Sequence, residues 1–184
     1  MARRLVASEW ISLDGVFDAE NMETWFNPFE SPERGAYIKQ NVDTSDGFVL
    51  GRVTYEMLAS YWPKMVNNEM GIADRMNRLP KYVVSSTLKV GEWRPATILR
   101  DNVVEELRRL KDEAGQDLLI FGSATLVRSL AAARLIDEYR FLVHPIIACT
   151  GKKFFPEAGR TEKLQLVRTK TLPSGVVLLG YEPA

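Results

Sequence analysis

Short apolar runs rich in β-branched residues recur along the first two thirds of the chain: RLVASEWISL (4–13), GFVLG (47–51), KYVVSS (81–86), ATILR (96–100) and DLLIF (117–121). Their length and composition predict strands. Between them the period becomes helical. In NVVEELRRLKDEAG (102–115), Val103, Leu107, Leu110 and Ala114 recur every three or four residues, Asn102 and Glu105 have capping-box spacing, and Gly115 supplies a stop. SATLVRSLAAA (123–133) carries a similar stripe in Leu126, Val127, Leu130 and Ala131, and Ser31-Pro32-Glu33 opens a helix toward Val42. Strands that alternate with helices need crossover connections, so the pattern predicts an α/β fold around a parallel sheet.

After Leu135 the pattern changes. EYRFLVHPII (138–147), KLQLVRTKTL (163–172) and VVLLGYE (176–182) are separated by turns, and Pro173-Ser174-Gly175 joins the last two. This predicts a C-terminal antiparallel hairpin added to the parallel sheet. No repeat, low-complexity run or long Pro/Gly linker divides the chain, and one domain over 1–184 is expected. The stretch DGVFDAENMETWFNPFESPERG (14–35) mixes acidic residues with Trp25, Phe26 and Phe29. Two readings stay open for it: it lines a substrate pocket, or its rings close the core.

Composition narrows the functional classes. A chain of 184 residues, 46% apolar, is long enough to bury about 70% of its extended surface. It needs no disulfide or metal to fold. The 24 basic residues balance 24 acidic ones, so long-range attraction to a polyanion is missing and no nucleic-acid partner is expected. Cys149 is the only cysteine and fits a reducing compartment. The apolar stretch after Arg3 and Arg4 ends at Ser8 and Glu9, too short for a signal sequence or a membrane span. The expectation is a cytoplasmic protein with no membrane partner. The single histidine, His144, lies in an apolar strand and reads as structural, so no metal site is predicted. GxSxG, GxGxxG and GxxxxGK[ST] are all absent from the sequence.

Candidate chemistry gathers at three strand ends. In GRVTYEMLASYW (51–62) a strand runs into a helix, where Gly51 permits close approach, Arg52 offers charge and Thr54 can cap or coordinate; the alternative is a capped helix with an exposed arginine. In LLIFGSATLVRSL (118–130), Gly122 and Ser123 open a second helix with little side-chain bulk. In KYVVSST (81–87), Ser85, Ser86 and Thr87 end a strand with hydroxyls that suit a ribose, a phosphate or ordinary turn capping. All three belong to the carboxyl edge of the sheet, which favours a phosphorylated cofactor.

The ordered set ISLDG (11–15), LGRVTYE (50–56), YVVSST (82–87), LIFGSATLVRSL (119–130) and LIDEYRFLVHPIIACTGKKFFP (135–156) resembles the dihydrofolate reductase superfamily. Within it, the chain is most similar to bacterial proteins akin to the reductase domain of the riboflavin-biosynthesis deaminase/reductase. The resemblance implies a three-layer α/β fold with helices on both faces of a mostly parallel mixed sheet, a homodimer, and NADPH across the carboxyl edge. It implies that Gly51, Arg52 and Thr54 sit by the cofactor phosphates, Arg52 at the 2'-phosphate. Ser85 and Ser86 then lie by the adenosine ribose, and Gly122, Ser123, Ala124 and Thr125 by the pyrophosphate and nicotinamide half.

Dihydrofolate reductases carry two adjacent glycines where this chain has Gly122-Ser123, a departure shared with the riboflavin-type branch. Asp14 and Glu23 are the expected catalytic acids, with Glu33 a competitor to Glu23. The implied activity is NADPH-dependent hydride transfer to a small heterocyclic, carbonyl or imine substrate, akin to 5-amino-6-(5-phosphoribosylamino)uracil reduction. The alternatives are dihydrofolate reduction, a binding module for nucleotide or pterin without turnover, and an interaction protein.

Overall fold

The computed structural model describes residues 2–155 and 161–184, so Pro156, the last residue of the longest motif, lies outside the described residues. The strands are β1 (Leu5–Ser12), β2 (Ser45–Gly51), β3 (Lys81–Val84), β4 (Ala96–Leu99), β5 (Asp117–Phe121), β6 (Glu138–His144), β7 (Leu164–Thr171) and β8 (Val177–Pro183). The α-helices are α1 (Met22–Trp25), α2 (Pro32–Asp43), α3 (Arg52–Tyr61), α4 (Ala73–Arg78), α5 (Val103–Asp112) and α6 (Ala124–Ala132). One eight-stranded sheet has the order β4-β3-β2-β5-β1-β6-β8-β7. The strands from β4 to β6 are parallel, while β8 pairs antiparallel with both β6 and β7. The sheet is thus mixed and mostly parallel, as the strand and helix alternation predicts.

Alternation along the strands divides the core. Leu5, Ala7, Val49, Leu118 and Ile120 pack on one face against α5 and α6, whereas Val6, Phe48, Leu50 and Leu119 pack on the other against α2, α3 and α4. Both faces are apolar because both are covered by helices. Ser31 caps α2 by accepting the Arg34 N–H at 3.2 Å. The expected box at Asn102 does not form: its backbone is left-handed at φ 51°, and its side chain makes no capping bond. That conformation removes the extended backbone that lets a cap side chain fold back onto the helix. At the last hairpin, Gly175 adopts φ 82° and donates to the Leu172 carbonyl at 2.9 Å, a turn that only glycine makes without strain.

His144 is fully buried at the end of β6. The rings of Trp25, Phe26 and Phe29 surround it, and its Nδ1 lies 3.1 Å from the Ile11 carbonyl while Nε2 has no partner. Burial, the largest cause, pushes its pKa down from 6.5 to about 4, so the folded state holds it neutral. Between those values the unfolded chain binds a proton that the native state does not, so stability falls as pH drops through this window. The full effect is about 3 kcal/mol. Urea unfolding at pH 7 and pH 4 should show a smaller acid loss in His144→Phe than in the parent chain. Equal losses would remove His144 from the account of acid sensitivity.

Candidate functional site

Strand order decides where chemistry collects. Because β5 inserts between β2 and β1, the carboxyl ends of three strands meet, at the kind of crevice where open α/β sheets bind ligands. A cavity of about 1060 Å³ opens there, at the top of the roughly 300–1,000 Å³ range typical of small-molecule sites. Gly51, Arg52, Thr54, Gly122, Ser123, Ala124 and Thr125 all line it. Two segments far apart in sequence thus form one wall.

Their junction is tightly built. Ser123 Oγ accepts the Gly51 N–H at 2.9 Å and donates to Thr54 Oγ1 at 3.0 Å. Gly122 and Ser123 both have left-handed backbones, φ 54° and 56°. A Cβ on Gly122 would meet Thr54 Oγ1 at 3.3 Å, so the absent side chain is what lets the two strand ends approach. Neither Gly51, at the start of α3, nor Ser123, at the start of α6, makes a side-chain capping bond to its own helix. Two helices of ten and nine residues therefore present uncapped amino ends to the same cavity, an arrangement suited to anionic oxygens. Arg52, paired with Glu56 at 2.8 Å, is half exposed and free to re-pair with an anion.

The expected acids lie elsewhere. Asp14 Oδ1 accepts the Ser12 hydroxyl at 2.7 Å and the Ala148 N–H at 2.9 Å, while Oδ2 accepts the Cys149 N–H at 3.0 Å. These bonds, led by that from Ser12, pull its pKa from 3.8 to about 2. Asp14 is thus an ionised group that ties the turn after β1 to the segment after β6, and it does not line the cavity. Glu23 is exposed on α1, also outside the lining. Ser85 Oγ accepts the Thr87 and Leu88 N–H groups at 3.1 and 2.9 Å, which turns the chain after β3; Ser86 is exposed beside it. Neither serine lines the cavity. The 14–35 stretch contributes both to the cavity lining and to aromatic packing. Phe17, Asp18, Met22 and Trp25 line the cavity, while Phe26 stacks on Trp10 at 4.5 Å.

Sequence reasoning passed over Glu9. It lines the cavity from β1, yet it is only 2% exposed and its Oε1 has no hydrogen-bond partner. Burial pushes its carboxyl well above the usual carboxylate range, against the opposing pull of the Gly122 N–H. Glu9 is a buried carboxyl at the cavity wall that holds its proton to higher pH than an ordinary carboxylate. The signal was available: a lone acidic residue inside the apolar run LVASEWIS. Among the described residues, no group of three or more His, Cys, Asp or Glu could hold a metal ion, and no helix is long and apolar enough to cross a membrane.

Comparison with known proteins places these features in a family context. The RibD C-terminal domain model matches residues 3–178. The uncharacterized protein YyaP of Bacillus subtilis is 29% identical over 182 residues, 97% of this chain and 94% of its own length. Among solved structures, a Shewanella protein provisionally described as a riboflavin biosynthesis protein aligns over 100% of this chain and 99% of its own, with a TM-score of 0.76 at 19% identity. Dihydrofolate reductase from Enterococcus faecalis, complexed with NADP(H), aligns over 100% and 99% with a TM-score of 0.65 at 18% identity. These structural likenesses establish a shared dihydrofolate reductase-like fold.

Proposed function

The chain belongs to the RibD C-terminal domain family, and from that membership we propose that it is an NADPH-dependent reductase acting on an electrophilic C=N or C=O carbon of a small heterocyclic or carbonyl compound. One observation carries the reading: the uncapped amino ends of α3 and α6 open on the same cavity and are locked together by Ser123 Oγ. The E. faecalis protein that shares the fold is complexed with NADP(H), and this chain has the donor set that a dinucleotide's phosphates need. In this reading the N–H groups at Arg52–Thr54 and Ala124–Thr125 take the phosphates, and Arg52 leaves Glu56 to pair with the 2'-phosphate.

The chemistry that NADPH supplies when bound is hydride donation from its nicotinamide. The net change is one hydride onto carbon and one proton onto the nitrogen or oxygen of the acceptor, with the nicotinamide oxidised. Glu9, whose carboxyl burial pushes well above the usual carboxylate range, is the cavity residue that can give up that proton, and solvent restores it after turnover. Asp14, ionised down to about pH 2, instead ties the turn after β1 to the segment after β6. Phe17, Trp25 and the apolar helix faces exclude water from the reacting centre.

Calorimetry tests the reading directly. NADPH should bind more tightly than NADH, and Arg52→Ala should shrink that preference on the order of tenfold, the loss of one charge-assisted contact. Absence of binding by either nucleotide at millimolar concentration would overturn the proposal.

A further inference from the structure

The cavity is chemically divided. Its charged lining residues Arg52, Arg128, Lys152 and Lys153 lie at the amino end of α3, on α6 and in the segment after β6, and Asp18 accepts the Lys152 N–H. The wall that α2, the later turns of α3 and α4 form with the segments joining them is different. There the lining is Ile38, Val42, Leu58, Trp62, Ile72 and Met76, one continuous apolar cluster with no charged side chain among the described residues. A phosphate or carboxylate placed against this wall would lose its hydration without gaining a partner.

Two polar atoms of the cavity residues are buried without a partner, Trp62 Nε1 within this apolar cluster and Glu9 Oε1 on the α5/α6 face of the sheet. Trp62 is 7% exposed, and its indole Nε1–H is buried without any acceptor. An N–H left unmade in the native state is an unusual cost, and a ligand acceptor beside it would recover that cost.

We propose that the substrate is an uncharged, largely apolar ring compound that carries a hydrogen-bond-accepting carbonyl or imine and has neither a phosphate nor a carboxylate. The inference rests on the reductase reading, which assigns the cationic half of the cavity to the dinucleotide and leaves the apolar half for the second reactant. It sets this chain apart from any reductase whose substrate is held by a phosphate or a carboxylate, because the apolar wall left for the second reactant carries no cation to hold such a group.

The test uses matched probes and the full-length protein, with and without saturating NADPH. 1-Tetralone, chromone and quinoxaline are titrated against their ring-carboxylated forms, and binding is read by tryptophan fluorescence and calorimetry. The neutral members should bind at least tenfold more tightly than the carboxylated ones. Trp62→Phe should weaken 1-tetralone severalfold while leaving tetralin, which has no carbonyl, unchanged. Met57, at the half-exposed rim of the same wall, gives a second variant that should fold normally: Met57→Arg should narrow or reverse the preference for neutral probes. Equal or tighter binding of the carboxylated probes, no binding of any neutral probe, or equal losses of tetralone and tetralin in Trp62→Phe would each overturn the inference. Neutral rings that bind to a protein unable to bind NADPH would overturn the reductase reading and with it the substrate role, leaving only a binding preference of the apolar wall.

Discussion

Replacing Gly122 by valine is expected to weaken NADPH binding at least a hundredfold, the largest single effect on the proposed site. The turn from β5 into α6 uses two consecutive left-handed residues, and Gly122 is the first, at φ 54°. A β-branched residue is strained at that φ whatever space surrounds it. Here space is also short, because a Cβ would lie 3.3 Å from Thr54 Oγ1 and 3.6 Å from Thr54 Cγ2. Relief requires the turn to move. That carries Ser123 away from the Gly51 N–H and Thr54, and the two helix ends separate. A hundredfold loss is about 2.7 kcal/mol of binding energy, in keeping with the removal of several aligned N–H donors. Gly122→Ala should lose less, since it adds the backbone strain and one atom without the branch. Calorimetry on variants shown to be folded by circular dichroism reads the effect, and wild-type affinity in Gly122→Val would remove this junction from the cofactor site.

The junction was legible in the sequence because its determinants are local. GRVT and FGSAT each join a short apolar strand to a helix through a glycine, and strand order then needs only to bring the two ends together. What was not legible depends on the ends of neighbouring strands. Glu9 interrupts the apolar run of β1, a strand covered on both faces, and nothing local in the sequence says what meets its side chain. Strand β1 pairs with β5 only as far as Ser8 and continues to Ser12, so Glu9 lies beyond the last rung and is covered by the Gly122 turn. Trp62 was hidden for a related reason. It packs in the core, but a sequence pattern says nothing about whether a buried indole N–H finds an acceptor. Asp14 shows the reverse: an aspartate before a glycine reads as either an acid or a turn residue, and only the structure shows the three hydrogen bonds that tie it into the turn. The carboxyl edge is coded by local motifs, whereas the polarity of the cavity is coded by which strand outruns which.

At the opposite edge of the sheet, Arg140→Met is expected to cost about 3–5 kcal/mol of stability with little change in NADPH affinity. Arg140 is 6% exposed, and its guanidinium joins three elements. One amino group donates to Asn41 Oδ1 on α2 at 2.9 Å; the other reaches Asp117 Oδ2 at 2.9 Å and Glu138 Oε2 at 2.8 Å, at the starts of β5 and β6. Glu138 is 1% exposed. Burial pushes its pKa up, but the hydrogen bond and charge of Arg140, helped by Arg168 and Arg4, outweigh that and hold it below the usual range. Removing Arg140 leaves Glu138 ionised or protonated at a cost either way, with only Arg4 at 3.3 Å and Arg168 at 3.7 Å to compensate. The penalty comes chiefly from the stranded carboxylate, so adding Glu138→Leu to Arg140→Met should recover more than half of the loss. Urea unfolding of the two single variants and the double variant measures that coupling. The network sits where parallel strands begin and the cavity where they end, so the NADPH dissociation constant should stay within about twofold of the parent value wherever the variants are folded. A large change in affinity would mean that the two edges of the sheet are mechanically linked through β5 and β6.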